Sequence, residues 1–176
     1  MSIVDKVIAA VTPPETDEMR SNATRKAREA AEPGDWLSAA LDHHDQIRAA
    51  FTACRETHEP QGRLAAMKQL AVVLNGHVVA EEVVLYPAMA QAGEKVHANH
   101  AYVEQTAAKM QMAELENIPP MEDAWLDKLG HIEGAVLHHM YEEESSWFLK
   151  LKEKGQDQER VAARFKEEFV RYTGGA

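Results

Sequence analysis

Two stretches of this 176-residue chain place a His and a Glu four residues apart: His77–Glu81 within H-V-V-A-E-E, and His139–Glu143 within H-M-Y-E-E-E. On a helix, residues four apart share one face. Each pair therefore presents an imidazole beside a carboxylate, donors that suit iron, zinc and manganese. Two such pairs facing each other could hold two metal ions, with Glu81 and Glu143 bridging between them. His44 and His100 each precede one pair, on stripes that otherwise read as core. Six polar groups converging in a core are costly without a partner, and a divalent cation meets that need. Such a centre keeps positions open for water, oxygen or nitric oxide. His100 also begins a third His-x-x-x-Glu pair with Glu104, and His97, on the same face, can replace His100 as the ligand. His43 and His138 read as residues flanking the ligands. Glu82 and Glu144 read as solvated or supporting carboxylates, with Glu82 as an alternative extra ligand; Glu142 reads as solvated, and Tyr102 as a supporting group.

Helices must bring these residues together. Asp35 can cap a helix over Trp36–His58, with Leu37, Leu41, His44, Ile47 and Phe51 at helical spacing. A second helix, Arg63–Ala90, carries Leu64, Met67, Leu70, Leu74, His77, Glu81 and Leu85, and Pro87 should kink or end it. A third, Glu94–Glu116, carries His97, His100, Val103, Glu104, Ala107 and Leu115. A fourth, Glu122–Lys154, carries Leu126, Leu129, Ile132, Val136, His139, Glu143 and Trp147, and Gly155 should stop it. Four long helices with short loops imply an all-α, up-down-up-down four-helix bundle. A lone His followed by a His-Glu pair occurs in each half, which suggests two hairpins related by a rough two-fold. Outside the bundle segment 35–155, an N-terminal extension 1–34 should hold a short helix Ile3–Val11 and a surface helix Glu15–Ala31. A C-terminal tail 156–176 should hold an amphipathic helix Asp157–Tyr172.

A formal charge of −10 with no basic block argues against nonspecific nucleic-acid or membrane-surface binding. One cysteine, Cys54, permits no intrachain disulfide and no cysteine-built zinc site, which fits a reducing, cytoplasmic setting. No apolar run approaches the length of about eighteen residues expected of a membrane helix, and the first residues lack the basic start of a signal peptide. Ferritin-type sites pair two Glu-x-x-His motifs, whereas here Glu94–His97 stands alone.

The order His44, His77/Glu81, His100, His139/Glu143, with the continuation E81-E82-V-V-L-Y-P87, resembles the hemerythrin-like HHE cation-binding domain over about Trp36–Lys154. The resemblance implies a four-helix bundle holding a non-haem di-iron centre. His44, His77, His100 and His139 would be its terminal ligands and Glu81 and Glu143 its bridging carboxylates; Glu104, from the spacing on the third helix alone, is a candidate added ligand. It implies oxygen binding, or the sensing or handling of oxygen, nitric oxide or iron. A peroxide-decomposing redox enzyme is the alternative at the same centre, and a metal-free helical interaction module is the bland alternative. Oxygen-carrying hemerythrins place two His four apart on the third helix and H-x-x-x-x-D on the fourth. Here Ala101 follows His97 by four, and the last pair is H-x-x-x-E. The implied centre is richer in carboxylate, which weighs against reversible oxygen carriage.

Overall fold

The computed structural model describes residues 15–174; the expected helix Ile3–Val11 lies outside them. Six helical runs and no strand occur among the described residues. Helix α1 spans Asp17–Ala30, and the Thr16 side chain caps it by accepting from the Met19 amide. Helix α2 spans Trp36–Glu56, and Asp35 caps it by accepting from the Ser38 amide at 2.6 Å. Run α3 comprises Pro60–Ala80, a π-turn Glu81–Leu85 and Tyr86–Gln91. Helix α4 spans Lys95–Leu115. Run α5 comprises Asp123–Glu142, a π-turn Glu143–Trp147 and Phe148–Lys154. Helix α6 spans Gln158–Thr173.

The core alternates in a way that fixes the topology. One apolar cluster gathers Trp36–Leu41 of α2, Ala80–Met89 of α3, Ala98 and Ala101 of α4, and Trp147–Leu151 of α5. The other gathers Ile47–Cys54, Met67–Val78, Ala108–Leu115 and Trp125–Met140 of the same helices. Along the chain, α2 and α4 run from the first cluster to the second, while α3 and α5 run back. That is the expected up-down-up-down bundle. Each helix carries a polar residue where the clusters meet: His44, Glu81, Gln105 and Glu143, all buried.

Both π-turns start at one of these glutamates. In the first, the Tyr86 amide bonds the Glu81 carbonyl, five residues back. The next such bond would run from residue 87 to the Glu82 carbonyl, but Pro87 has no N–H to give. The Tyr102 hydroxyl of α4 donates to that carbonyl instead. The kink expected at Pro87 is thus absorbed as a π-turn just before it. The second π-turn has the same bond from Phe148 to Glu143 and no proline.

The face of α4 differs from the expected stripe. Its buried residues are Ala98, Ala101, Gln105, Ala108, Met112 and Leu115, whereas Val103 is 68% exposed. The helix is turned by one position, about 100°. Alanines let it approach its neighbours closely, and His100 and Glu104 shift toward the rim. Leu64 and Leu126 likewise lie partly at the surface, and Arg63 and Trp125 beside them are buried, the guanidinium 5.3 Å from the ring centroid. Phe165 of α6 belongs to the first apolar cluster, and Ala23 and Ala27 of α1 are buried as well. Gly76 leaves room for α6: a Cβ there would lie 2.8 Å from Thr173. Run α3 is long and apolar enough to cross a bilayer, but more than half of its apolar window is buried within the bundle.

Candidate metal centre

His44 of α2, His77 and Glu81 of α3, and Glu143 of α5 meet at the junction between the two apolar clusters. All four side chains are essentially inaccessible to solvent. One donor atom from each lies within 4.8 Å of the other three. His44 Nε2 is 3.3 Å from Glu143 Oε2, and His77 Nε2 is 3.2 Å from Glu81 Oε1. These four atoms have no hydrogen-bond partner among the described residues. Buried polar atoms are rarely left so. Two donors about 2.1 Å from one ion, at tetrahedral to octahedral angles, stand about 3.0–3.4 Å apart. The donor set therefore fits a cation in its chemistry, and the His44–Glu143 and His77–Glu81 pairs fit in their spacing.

The outer edge of His44 shows how it is aimed. Its Nδ1 is 2.7 Å from Glu144 Oε1. Glu144 is itself held by Arg48, at 2.7 Å, and by the Thr24 hydroxyl of α1. A carboxylate on Nδ1 fixes the tautomer that leaves Nε2 free as a ligand. His139 of α5 repeats the device: its Nδ1 is 2.9 Å from Glu104 Oε2. Its Nε2 then points inward, 3.3 Å from Glu143 Oε1.

The inward side of His139 is built differently from that of His44. The Tyr86 hydroxyl lies 3.0 Å from His139 Nε2 and 3.1 Å from both Glu81 Oε2 and Glu143 Oε1. Gln105 donates to Glu81 Oε2 at 2.6 Å and to the Tyr86 hydroxyl. Of the residues singled out from sequence, His44, His77, Glu81, His139 and Glu143 come together. Glu104 reaches the centre only through the outer nitrogen of His139. His100 is not brought in: its side chain is 46% exposed, 3.1 Å from Glu104 Oε1. His97 bonds Glu94 at 2.8 Å and stacks on Trp147. The turn of α4 is the physical reason, since it moves this edge of the helix outward and puts Gln105 inside.

Burial and mutual charge set the protonation of the cluster. Burial opposes ionisation of Glu143, but His139 and His44 beside it prevail and hold its carboxyl well below the usual range. Glu81, buried and next to the Glu143 charge, is pushed well above it. Burial opposes a charged His44, yet Glu143 and Glu144 raise its pKa. Burial likewise opposes a charged His139, yet Glu143 and Glu104 raise it well above the ordinary value. His77 is lowered well below it, by burial and then by His44. His43, stacked 3.6 Å from Phe169 between centroids, is lowered to about 4 by burial and by His44.

Sequence reasoning passed over Tyr86 and Gln105, while Glu144 takes the supporting place that was one of its two expected readings. For Gln105 a signal existed. Six of the nine buried positions of α2, 37, 40, 44, 47, 51 and 54, recur with a constant shift as the buried positions of α4, 98, 101, 105, 108, 112 and 115. That spacing makes Gln105, not His100, the counterpart of His44. A constant shift also relates His77 to His139, Glu81 to Glu143, Glu82 to Glu144 and Tyr86 to Phe148. The cluster thus follows the suspected internal repeat, in a different register on α4.

A family model described as hemerythrin HHE cation binding domain matches residues 37–151. A DNA nickase of Nostoc sp. is 26% identical over 109 residues, which is 62% of this chain and 31% of that protein. The chain thus spans about a third of this relative's length. No solved structure matches.

Proposed function

The chain belongs to the hemerythrin HHE cation-binding family, and from that premise we propose that it holds two non-haem iron ions and uses them to sense or handle oxygen, nitric oxide or iron. His44 and His77 would hold one ion and His139 the other, with Glu81 and Glu143 shared between them. The observation that carries this reading is the set of four buried donor atoms without hydrogen-bond partners, one each on His44, His77, Glu81 and Glu143. Bound iron would supply redox chemistry and affinity for small ligands. The chain's own residues would do the rest. Glu144 and Glu104 orient the imidazoles, the apolar clusters on either side exclude water, and Tyr86 holds a proton within reach of both shared carboxylates. Zinc and manganese suit the same donors, so metal analysis after anaerobic reconstitution is the test. About two iron per chain is the expected result; none retained would sink the proposal.

One observation favours a second reading, decomposition of peroxide at the same centre. The Tyr86 hydroxyl is aimed among the donors, where a proton source assists cleavage of an O–O bond. Oxygen evolved from hydrogen peroxide above the level given by free iron, and reduced in Tyr86→Phe, would support it. The nicking activity of the Nostoc relative is not carried over. The match covers 31% of that protein, and this chain's charge of −10 offers little to neutralise a phosphate backbone. A cytoplasmic setting rests on the single, buried cysteine.

A further inference from the structure

The turn of α4 that takes His100 out of the buried centre places it in a second donor cluster on the rim. His100 Nε2 lies 3.1 Å from Glu104 Oε1 and 3.6 Å from Glu142 Oε2. One donor atom from each residue lies within 4.8 Å of the other two. The two carboxylates face each other with no Lys or Arg within ion-pair distance among the described residues; their neighbours are His100, His138 and His139. Glu142 Oε2 is closed to solvent and has no hydrogen-bond partner among the described residues. The nearer imidazole, His100, is 3.6 Å away, and His138 Nε2 is 4.0 Å away. An acceptor shut off from water, with no donor and a second carboxylate opposite, is an unfavourable arrangement for protein groups alone. One imidazole and two carboxylate oxygens around a shared point, with one side open to solvent, match the requirements of a divalent cation.

The cluster is also joined to the buried centre. Glu104 places Oε1 on His100 and Oε2 on His139 Nδ1, at 3.1 and 2.9 Å. Trp147 adjoins both clusters, its ring nearly perpendicular to those of His100 and His139 at 5.9 and 5.7 Å between centroids. Among the described residues, Glu104 is therefore the carboxylate shared by the two sets.

We propose that His100, Glu104 and Glu142 form a second, solvent-facing divalent-cation site, which captures ions for the buried centre. The capture role rests on the metal-centre reading above; the site itself does not. Ions held there weakly are exchangeable, as three protein donors and an open side require, and their arrival next to Glu104 raises the local supply to His139.

The test uses the full chain stripped of metal and titrated with manganese(II), free ion being followed by electron paramagnetic resonance. Glu142→Gln and His100→Gln touch neither buried donor set and keep side-chain bulk. Wild type should bind one weak equivalent more than either variant, with that affinity falling at least about tenfold in both. Uptake of limiting metal into the buried centre should slow severalfold in the variants, with final buried occupancy unchanged. His77→Leu/Glu81→Leu, which removes the buried set, should keep the weak equivalent. The proposal is overturned if both rim variants bind the same number of ions with the same weak affinity as wild type. An unchanged uptake rate overturns the capture role. Loss of the tight equivalents in every protein, with the weak one retained, would instead overturn the buried centre and leave the rim site standing.

Discussion

The two halves of the buried cluster occupy equivalent places in a repeated scaffold, yet they are not equivalent chemically. On the His77 side, α2 contributes His44, and the matching position on α5 after the π-turn is Phe148, stacked on His44 at 5.9 Å. On the His139 side, α4 contributes Gln105 where α2 has His44, and Tyr86 stands where Phe148 does. The first half therefore holds bare donors against an apolar wall. The second holds one imidazole whose surroundings already form hydrogen bonds with one another. A cation entering the first half breaks no hydrogen bond to its four donor atoms among the described residues, though His44 must give up its proton. One entering the second must compete with the Tyr86 and Gln105 hydrogen bonds to the same carboxylates. A repeat can thus build two chemically unequal positions with two exchanges, amide for imidazole at Gln105 on α4 and phenol for phenyl at Tyr86 on α3.

The strongest way to break this picture is to remove what the halves share. His77→Leu/Glu81→Leu should abolish tight binding at both positions, since Glu81 faces His77 with one oxygen and Tyr86 with the other. The metal-stripped variant should be more stable than metal-stripped wild type by roughly 1–4 kcal/mol, as when other buried ionic sets become apolar. Metal analysis and thermal unfolding check both. Unchanged metal content with raised stability would make the cluster an accident of the core.

A second expectation concerns pH and treats the halves alike, since each has one imidazole with a raised pKa. For His44 and His139, folded values above the unfolded one of about 6.5 mean a stabilising contribution that is present below that pH. It is lost as pH rises through the folded values. Glu81, also raised, acts in the same direction from its own lower starting point. His43, lowered to about 4, and His77 contribute above about 6.5, and that contribution is lost as pH falls. Glu143, held low, adds to the acid loss as pH falls below the unfolded carboxylate value. Stability of the metal-stripped protein should therefore peak near pH 6–6.5. Metal needs His44 and His139 neutral, so bound protein should gain stability through the alkaline range where stripped protein loses it, by about 1.4 kcal/mol per proton per pH unit. Parallel melting curves from pH 5 to about 9 test this; curves of the same slope would contradict the assigned protonation.

How much of this was readable in advance differs between the helices. On α2, α3 and α5 the ligand candidates lie in stripes of large apolar residues, Leu, Ile, Phe and Val, and such a stripe fixes which face is inside. The bundle and the five converging residues followed from that. On α4 three of the six buried residues are alanines and a fourth is Gln105, and their small apolar area competes poorly with the pull of a His-x-x-x-Glu pattern. The helix was accordingly read about 100° out of place. The π-turns were not readable either, because a π-turn is a local choice of hydrogen-bond partner and leaves no period of its own. Pro87 marked the place of one; nothing in Glu143–Trp147 marked the other. The choice between a solvated and a supporting Glu144 depends on α1 covering it through the Thr24 hydroxyl, a contact distant in sequence.

The asymmetry can be sharpened on α4. Gln105→His should give the second half an imidazole in the position His44 occupies in the first, and remove the amide that donates to Glu81 and Tyr86. Affinity for the second equivalent should rise about tenfold with the first unchanged, as read by zinc titration. An equal change in both equivalents would show that the halves are not separable.

The smallest effect separates the halves from outside. Thr24 of α1 donates to Glu144, which orients His44; Glu104, which does the same for His139, has only imidazole partners among the described residues, His139 and His100. Thr24→Val keeps shape and burial but removes the hydroxyl. Glu144 still has Arg48 and His44, so the carboxylate stays in place and loses one modest hydrogen bond. About a threefold weaker first equivalent follows, with the second unmoved. If neither equivalent moves, Arg48 alone sets the orientation of Glu144, and α1 serves only to shield it. If both move together, α1 acts through the whole bundle rather than through His44, and the independence of the two halves fails with it.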